Sequence, residues 1–140
     1  MDVKLEWKQG LQFSGINPLG FNVPLGGAQE EDCPDQEGFK PLELILIGLA
    51  GCTGMDVISI LEKKRQVVTH FDVLVHADRS TEHPKVFTGI VIEYILTGIN
   101  LDPVAVKRSV ELSETKYCSA IAMLRKNSPI VSKITINPEG

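Results

Sequence analysis

The side chains with the widest chemical repertoire in this 140-residue chain are three cysteines, Cys33, Cys52 and Cys118, and three histidines, His70, His76 and His83. The histidines stand six and seven residues apart, and no Cys-x-x-Cys or His-x-His pair accompanies them. Metal ligands need partners at closer spacing, so neither a metal nor a cofactor is expected. His70 and His76, an even number apart on a predicted strand, can share one face as ordinary polar residues. No Gly-x-Ser-x-Gly elbow occurs, and GLAGCTGM lacks the lysine of a phosphate-cradling loop. Nucleotide binding therefore has no support.

The cysteines remain. Cys33 lies among Glu30, Glu31, Asp32, Asp35 and Glu37; like charge disfavours its thiolate, and it reads as an incidental exposed thiol. Cys118, in ETKYCSAIAMLRK, stands near the start or bend of a predicted helix with Lys116 two residues before it. Both features favour a thiolate. Cys52 has no local activator, and an ionised Asp56 one turn later opposes a negative sulfur. Spacing alone leaves two readings of Cys52 and Cys118, a redox pair or two packed thiols.

Cys52 belongs to PLELILIGLAGCTGMDVISILEKKR, Pro41 to Arg65, which reads as one long helix. Pro41 suits the first helical position, Glu43 adds negative charge to the first turn, and Lys63, Lys64 and Arg65 crowd the end. Its apolar residues point in every direction, and a helix apolar all round is expected to be buried all round. Gly48, Gly51 and Gly54 cost about 3 kcal/mol together relative to alanine. Close approach of another backbone or a ligand is the expected compensation, leaving Cys52 in a groove of small residues.

Before this helix, Val3, Leu5 and Trp7 alternate with charged residues as in a half-buried strand, and short strands at 11–13 and 21–25 complete an antiparallel meander. Residues 26–40 read as a loop. After the helix, Phe71, Val73, Val75 and Ala77 mark one apolar strand face, and Val86 to Leu96, apolar on both faces, is expected to be central in its sheet and hairpin-paired with it. Asp102-Pro103 starts a helix whose inward face is Val106, Val110, Ser113 and Tyr117. A second helix, or a continuation bent at Ser113, runs to Arg125, Asn127-Ser128-Pro129 stops it, and 130–136 forms a last strand. Strands, helix, strands, helices, strand is an α+β order, expected as one domain over residues 1–140. So small a domain has difficulty covering an apolar helix on every side, and a homodimer is expected.

Net charge is −4, with a pI near 5.3 and no basic run longer than three, which excludes a nucleic-acid footprint. The amino terminus has no apolar signal core. Glu43 and Asp56 within the long helix, and flanking segments that read as strands, argue against a membrane span, so a cytoplasmic protein is expected.

PLELILIGLAGCTGMDVISIL, EHPKVFTGIVIEY and LSETKYCSAIAML together resemble the OsmC/Ohr family of thiol-dependent peroxidases, particularly its OsmC-like branch. The resemblance spans nearly the whole chain. It implies an intertwined homodimer, with antiparallel sheets from both chains wrapped around two long central helices. It also implies that Cys52 attacks the O–O bond of an organic hydroperoxide and becomes a sulfenic acid. Cys118 resolves it as a disulfide, and a dithiol or lipoyl-type reductant reopens the bond. Apolar surroundings suit alkyl or lipid hydroperoxides.

The chain also departs from the family pattern. Well-studied members carry an arginine in the amino-terminal meander and a glutamate directly after the proline that opens the helix. Here the first arginine is Arg65, and Leu42 follows Pro41, with Glu43 one position later and on the helix face away from Cys52. Glu43 and Lys116 are retained as possible activating or polar neighbours, with Arg125, Arg79 and Lys40 as further cations. The rival expectation is a non-catalytic protein of the same fold that holds an apolar ligand in the glycine groove or senses oxidation.

Overall fold

A computed structural model describes residues 1–27 and 38–138. Cys33 and most of the 26–40 loop lie outside the described residues. The chain divides into two units, Met1–Ile45 and Leu46–Gly140.

The first unit is the expected meander. Strands β1 (Lys4–Gln9), β2 (Gln12–Ile16) and β3 (Asn22–Gly26) pair antiparallel in sequence order. Gly10 makes the first turn at φ +51°, where its carbonyl accepts from Trp7 Nε1 at 2.9 Å. Val3, Leu5 and Trp7 are exposed, Trp7 by 65%. This corrects the half-buried reading of β1: a three-stranded sheet has no second layer of its own to cover that face. Phe39 bridges back to Leu25, and Gly38, at φ +139°, passes so close to Pro24 that a side chain would meet its carbonyl oxygen at 2.7 Å. Only glycine fits there.

Helix α1, Pro41–Lys63, begins in this unit and continues in the second. Glu43 Oε1 reaches back to accept from the Lys40 N–H at 2.8 Å, half of a capping box. At the other end the Arg65 N–H donates to Glu62 O and the Gln66 N–H to Leu61 O, both at 2.9 Å, with Arg65 at φ +57°. That is a Schellman closure with arginine where glycine is usual.

In the second unit, β4 (Val67–Arg79), β5 (Phe87–Ile99) and β6 (Ile130–Pro138) form a sheet in that order. β4 and β5 are the predicted hairpin, and β5 is central as expected. β6 runs parallel to β5, so a helical crossover must join them. It consists of α2 (Pro103–Leu112), a π-helical turn (Ser113–Tyr117) and α3 (Ser119–Arg125). The Asp102 carboxylate caps α2 by accepting from the Val104 N–H at 3.0 Å.

The core joins Ile90, Ile92, Tyr94 and Leu96 of β5 to Leu49, Val57 and Leu61 of α1, Val106 and Val110 of α2 and Ile121 of α3. Two helix expectations change here. Only the stripe Leu49, Thr53, Val57 and Leu61 of α1 is buried, while Ile45, Ile47 and Met55 are exposed, Met55 by 74%. Among the described residues, nothing buries the helix all round. Among the described residues nothing approaches a Cβ built on Gly48 or Gly51 within 4 Å, and Gly54 meets only Val73 Cγ2 at 3.4 Å. The close approach expected to offset the glycines is thus not made within the described chain. The second change is Tyr117, which is 52% exposed instead of facing inward. A π turn spends an extra residue per turn, and the inward phase shared by Val106, Val110 and Ser113 is lost beyond it.

Candidate functional site

Cys52 projects from the middle of α1, half-buried against the core. Cys118 is the single extended residue between the π turn and α3, at φ −75° and ψ 106°. Its N–H closes the π turn on Ser113 O at 2.8 Å, and its Sγ caps α3 by accepting from the Ile121 N–H at 3.4 Å. The structure places the two cysteines in one neighbourhood: Cys52 packs against the core cluster that holds Cys118 and lies within electrostatic reach of its thiol.

Cys118 is only 3% exposed. Burial pushes its thiol up to about 11; the Ile121 and Ala120 N–H groups work against this, and the neighbouring Cys52 adds to it. The sequence expectation that a helix start and Lys116 favour a Cys118 thiolate is therefore corrected. Desolvation outweighs the first N–H groups of a seven-residue helix. Lys116 Nζ lies over the exposed ring of Tyr117, 5.2 Å from its centroid.

Beside the cysteines runs a buried polar chain that sequence reasoning missed. Ser113 Oγ donates to Asp56 Oδ2 at 2.9 Å, and the same Oγ lies 2.7 Å from Thr53 Oγ1. Thr53 Oγ1 lies 2.9 Å from the Tyr94 hydroxyl, which donates to Glu114 Oε1 at 3.0 Å. Thr53, Tyr94 and Ser113 are fully buried. Burial raises the Tyr94 hydroxyl well above the usual phenol range; the bond from Thr53 opposes this, and the Glu114 charge reinforces it. Tyr94 is a neutral donor at any physiological pH. A Cys118 thiolate would raise it further, which places this chain within electrostatic reach of the cysteines. The available signals were polar residues inside otherwise apolar elements: Thr53 and Asp56 in α1, and Tyr94 in β5.

Glu114 closes the chain at an open cavity of about 440 Å³ lined by Lys107, Glu111, Ser132 and Ile134 among others. Its Oε2 accepts from Ser132 Oγ at 3.3 Å, and its backbone carbonyl accepts from Arg125 at 3.0 Å. Of the other residues singled out, Glu43 is a helix cap, and Arg79 donates to Lys85 O in the hairpin. His70 and His76 do share the exposed face of β4, bonded to Asp72 at 2.9 Å and to Asp78 at 3.1 Å.

Residues 34–133 match the family profile described as OsmC-like protein. Protein YhfA of Escherichia coli K12 is 37% identical over 126 residues, covering 90% of each chain. A solved structure of a hypothetical protein from Aquifex aeolicus is 30% identical, superposes with a TM-score of 0.80, and covers 97% of this chain and 96% of its own. An organic hydroperoxide resistance protein OsmC from Legionella pneumophila shares the fold, with a TM-score of 0.70 at 14% identity over 96% of this chain and 97% of its own. The α+β architecture is thus the one seen in OsmC proteins, and on the profile match and the identity to YhfA together this chain belongs to the OsmC-like family.

Proposed function

We propose that the protein is a thiol-dependent oxidoreductase of the peroxidase type that reduces organic hydroperoxides through Cys52 and Cys118. One observation carries this reading: two cysteines from separate elements pack at the same core cluster, within electrostatic reach of each other and beside a buried polar chain. Kinship with a fold that includes an organic hydroperoxide resistance protein supports it. Cys52, the less buried thiol, meets the oxidant. Its sulfur bonds to the terminal oxygen as the O–O bond breaks, giving Cys52 sulfenic acid and an alcohol, with the thiol proton ending on the alcohol. Cys118 then displaces that oxygen as water and forms the Cys52–Cys118 disulfide. An external dithiol, such as a lipoyl group, returns both thiols and is itself oxidised to a disulfide.

The uncovered faces of α1 support a homodimer in which a second chain completes the surroundings of Cys52. Cytoplasmic residence fits cysteines that must return to the reduced state.

The test is peptide mapping by mass spectrometry before and after stoichiometric cumene hydroperoxide. Fast and specific appearance of a Cys52–Cys118 link is the expected result. Survival of both thiols, or oxidation of Cys33 alone, overturns the reading and leaves an apolar-ligand binder of the same fold.

A further inference from the structure

Ser113 is the first residue of the π turn and is fully buried. Its side chain reaches α1 twice: Oγ donates to Asp56 Oδ2 at 2.9 Å and lies 2.7 Å from Thr53 Oγ1. Thr53 follows Cys52 in the chain, and Asp56 stands one turn beyond that cysteine. The Ser113 backbone serves the other thiol, since its carbonyl accepts from the Cys118 N–H at 2.8 Å. One residue therefore grips both the turn of α1 that carries Cys52 and the backbone of Cys118.

The π geometry is what brings Cys118 to that carbonyl. In an α-helix the Ser113 carbonyl would accept from the residue four positions on, Tyr117; the π turn takes the fifth. With α spacing, Cys118 would lie about 100° further round the axis and off this carbonyl. The turn is also fixed from outside. Glu114 Oε1 accepts from Tyr94 of β5, its Oε2 from Ser132 of β6, and its carbonyl from Arg125 of α3. Ser113 is thus held on a braced segment.

We propose that Ser113 is a positioning residue for the Cys52–Cys118 pair: its hydroxyl, lodged against Thr53 and Asp56, sets the crossover in the register on α1 at which the two sulfurs can bond. This deepens the redox-pair reading and rests on it. The apolar core that Val110 and Ile121 share with α1 favours contact without fixing register. A buried hydroxyl does fix it, because it must meet its partner at a set distance and angle or lose the bond uncompensated. Disulfide geometry is narrow, so a small slip of the crossover is felt at the sulfurs.

The test forms the link by thiol–disulfide exchange on the full chain, using 2-mercaptoethanol and its disulfide, acid quenching and peptide mapping. Cys52 sulfur attacks the reagent disulfide, releases one mercaptoethanol and carries the other as a mixed disulfide; Cys118 then displaces it. The two protein thiol protons leave on the two mercaptoethanol molecules, and two sulfurs oxidised balance two reduced. Wild type converts the mixed disulfide to the Cys52–Cys118 link. Ser113→Ala keeps the carbonyl but loses the grip on α1; conversion falls about tenfold and the mixed disulfide accumulates on Cys52. Asp56→Ala cuts the same bond from the α1 side and acts alike, so the test stands even if Ser113→Ala does not fold. Asp56→Asn, whose amide oxygen still accepts from Ser113, converts within about twofold of wild type. Thr115→Ala, in the same turn but with a hydroxyl that donates to Glu111 O, leaves conversion unchanged.

A Ser113 that merely stabilised the fold would lower the urea midpoint of the reduced chain without changing how the mixed disulfide partitions. Wild-type conversion in Ser113→Ala and Asp56→Ala, or equal loss in Asp56→Asn and Asp56→Ala, overturns the proposal. A wild type that links by exchange but not with cumene hydroperoxide removes the peroxidase reading and leaves Ser113 in its role. A wild type that forms no link with either reagent overturns both.

Discussion

The two cysteines are neighbours at one core cluster, yet they are held by opposite kinds of structure. Cys118 occupies a break in the helical crossover, and its own chain encloses it completely: the π turn closes on its N–H, α3 begins on its sulfur, and Ile121 and the β5 core lie beneath. Cys52 sits in uninterrupted helix between Gly51 and Gly54, on an element whose other faces the described residues leave open. The enclosed thiol is the reluctant one, because burial disfavours its thiolate more than a helix start favours it. On the proposed function, enclosure divides the work: the more accessible sulfur takes the oxidant, and the shielded sulfur with a tightly held proton reacts with its neighbour.

Removing either thiol is the largest perturbation of this division, and the two losses should differ in kind. Cys52→Ser reduces hydroperoxide turnover to background. Cys118→Ser leaves the first oxidation intact and stops the cycle there, so a dimedone-type probe traps one sulfenic acid per chain on Cys52. Steady-state turnover with a dithiol, alongside probe labelling by mass spectrometry, separates the cases. Equal first-step rates in both variants, or unchanged turnover in Cys52→Ser, would erase the distinction between the two positions.

The proton on Cys118 gives a smaller effect with a defined pH window. Its native value of about 11 lies above the ordinary 9.0. Below pH 9 the thiol is protonated in folded and unfolded chains alike and contributes no pH dependence. Between about pH 9 and 11 the unfolded chain ionises first, and the native state loses roughly 2 kcal/mol relative to a variant without the thiol. Urea unfolding of reduced wild type and Cys118→Ala across this window measures the difference directly, because other titrating groups, Tyr94 among them, are common to both. Parallel curves would mean that burial does not hold the proton.

Which of these features a sequence discloses follows from how local their causes are. The α1 start at Pro41, the Asp102 cap and the Asn127-Ser128-Pro129 stop each depend on a few adjacent atoms, and the structure places them where residue chemistry does. Alternation in β4 and the doubly apolar β5 were legible for the same reason. The π turn was not, since an added residue in a helix leaves no period behind, and Tyr117 was consequently assigned to the wrong face. All-round apolarity in α1 indicated how much surface needs cover, but not what covers it. Thr53, Asp56, Tyr94, Ser113 and Glu114 each stood out weakly; their chemistry exists only once α1, β5 and the crossover converge. Cys118 was misread because desolvation is a property of the assembled core.

The smallest expected effect tests the open side of the comparison. A methyl group at Gly51, next to Cys52, meets nothing within 4 Å among the described residues. Within a single chain, Gly51→Ala therefore recovers helix propensity and stabilises α1 by up to about 1 kcal/mol. A second chain packed closely along this face reverses the sign, because the methyl group then lies where the partner's atoms approach. Sedimentation and chemical unfolding over a wide concentration range distinguish the two outcomes. The homodimer proposal expects Gly51→Ala to weaken association while leaving the dissociated chain no less stable, and to expose Cys52 to alkylation. A dimer that tolerates the methyl group without loss would mean that the glycines around Cys52 face solvent or substrate instead of a partner. The open side of Cys52 would then be an entrance that this chain forms alone.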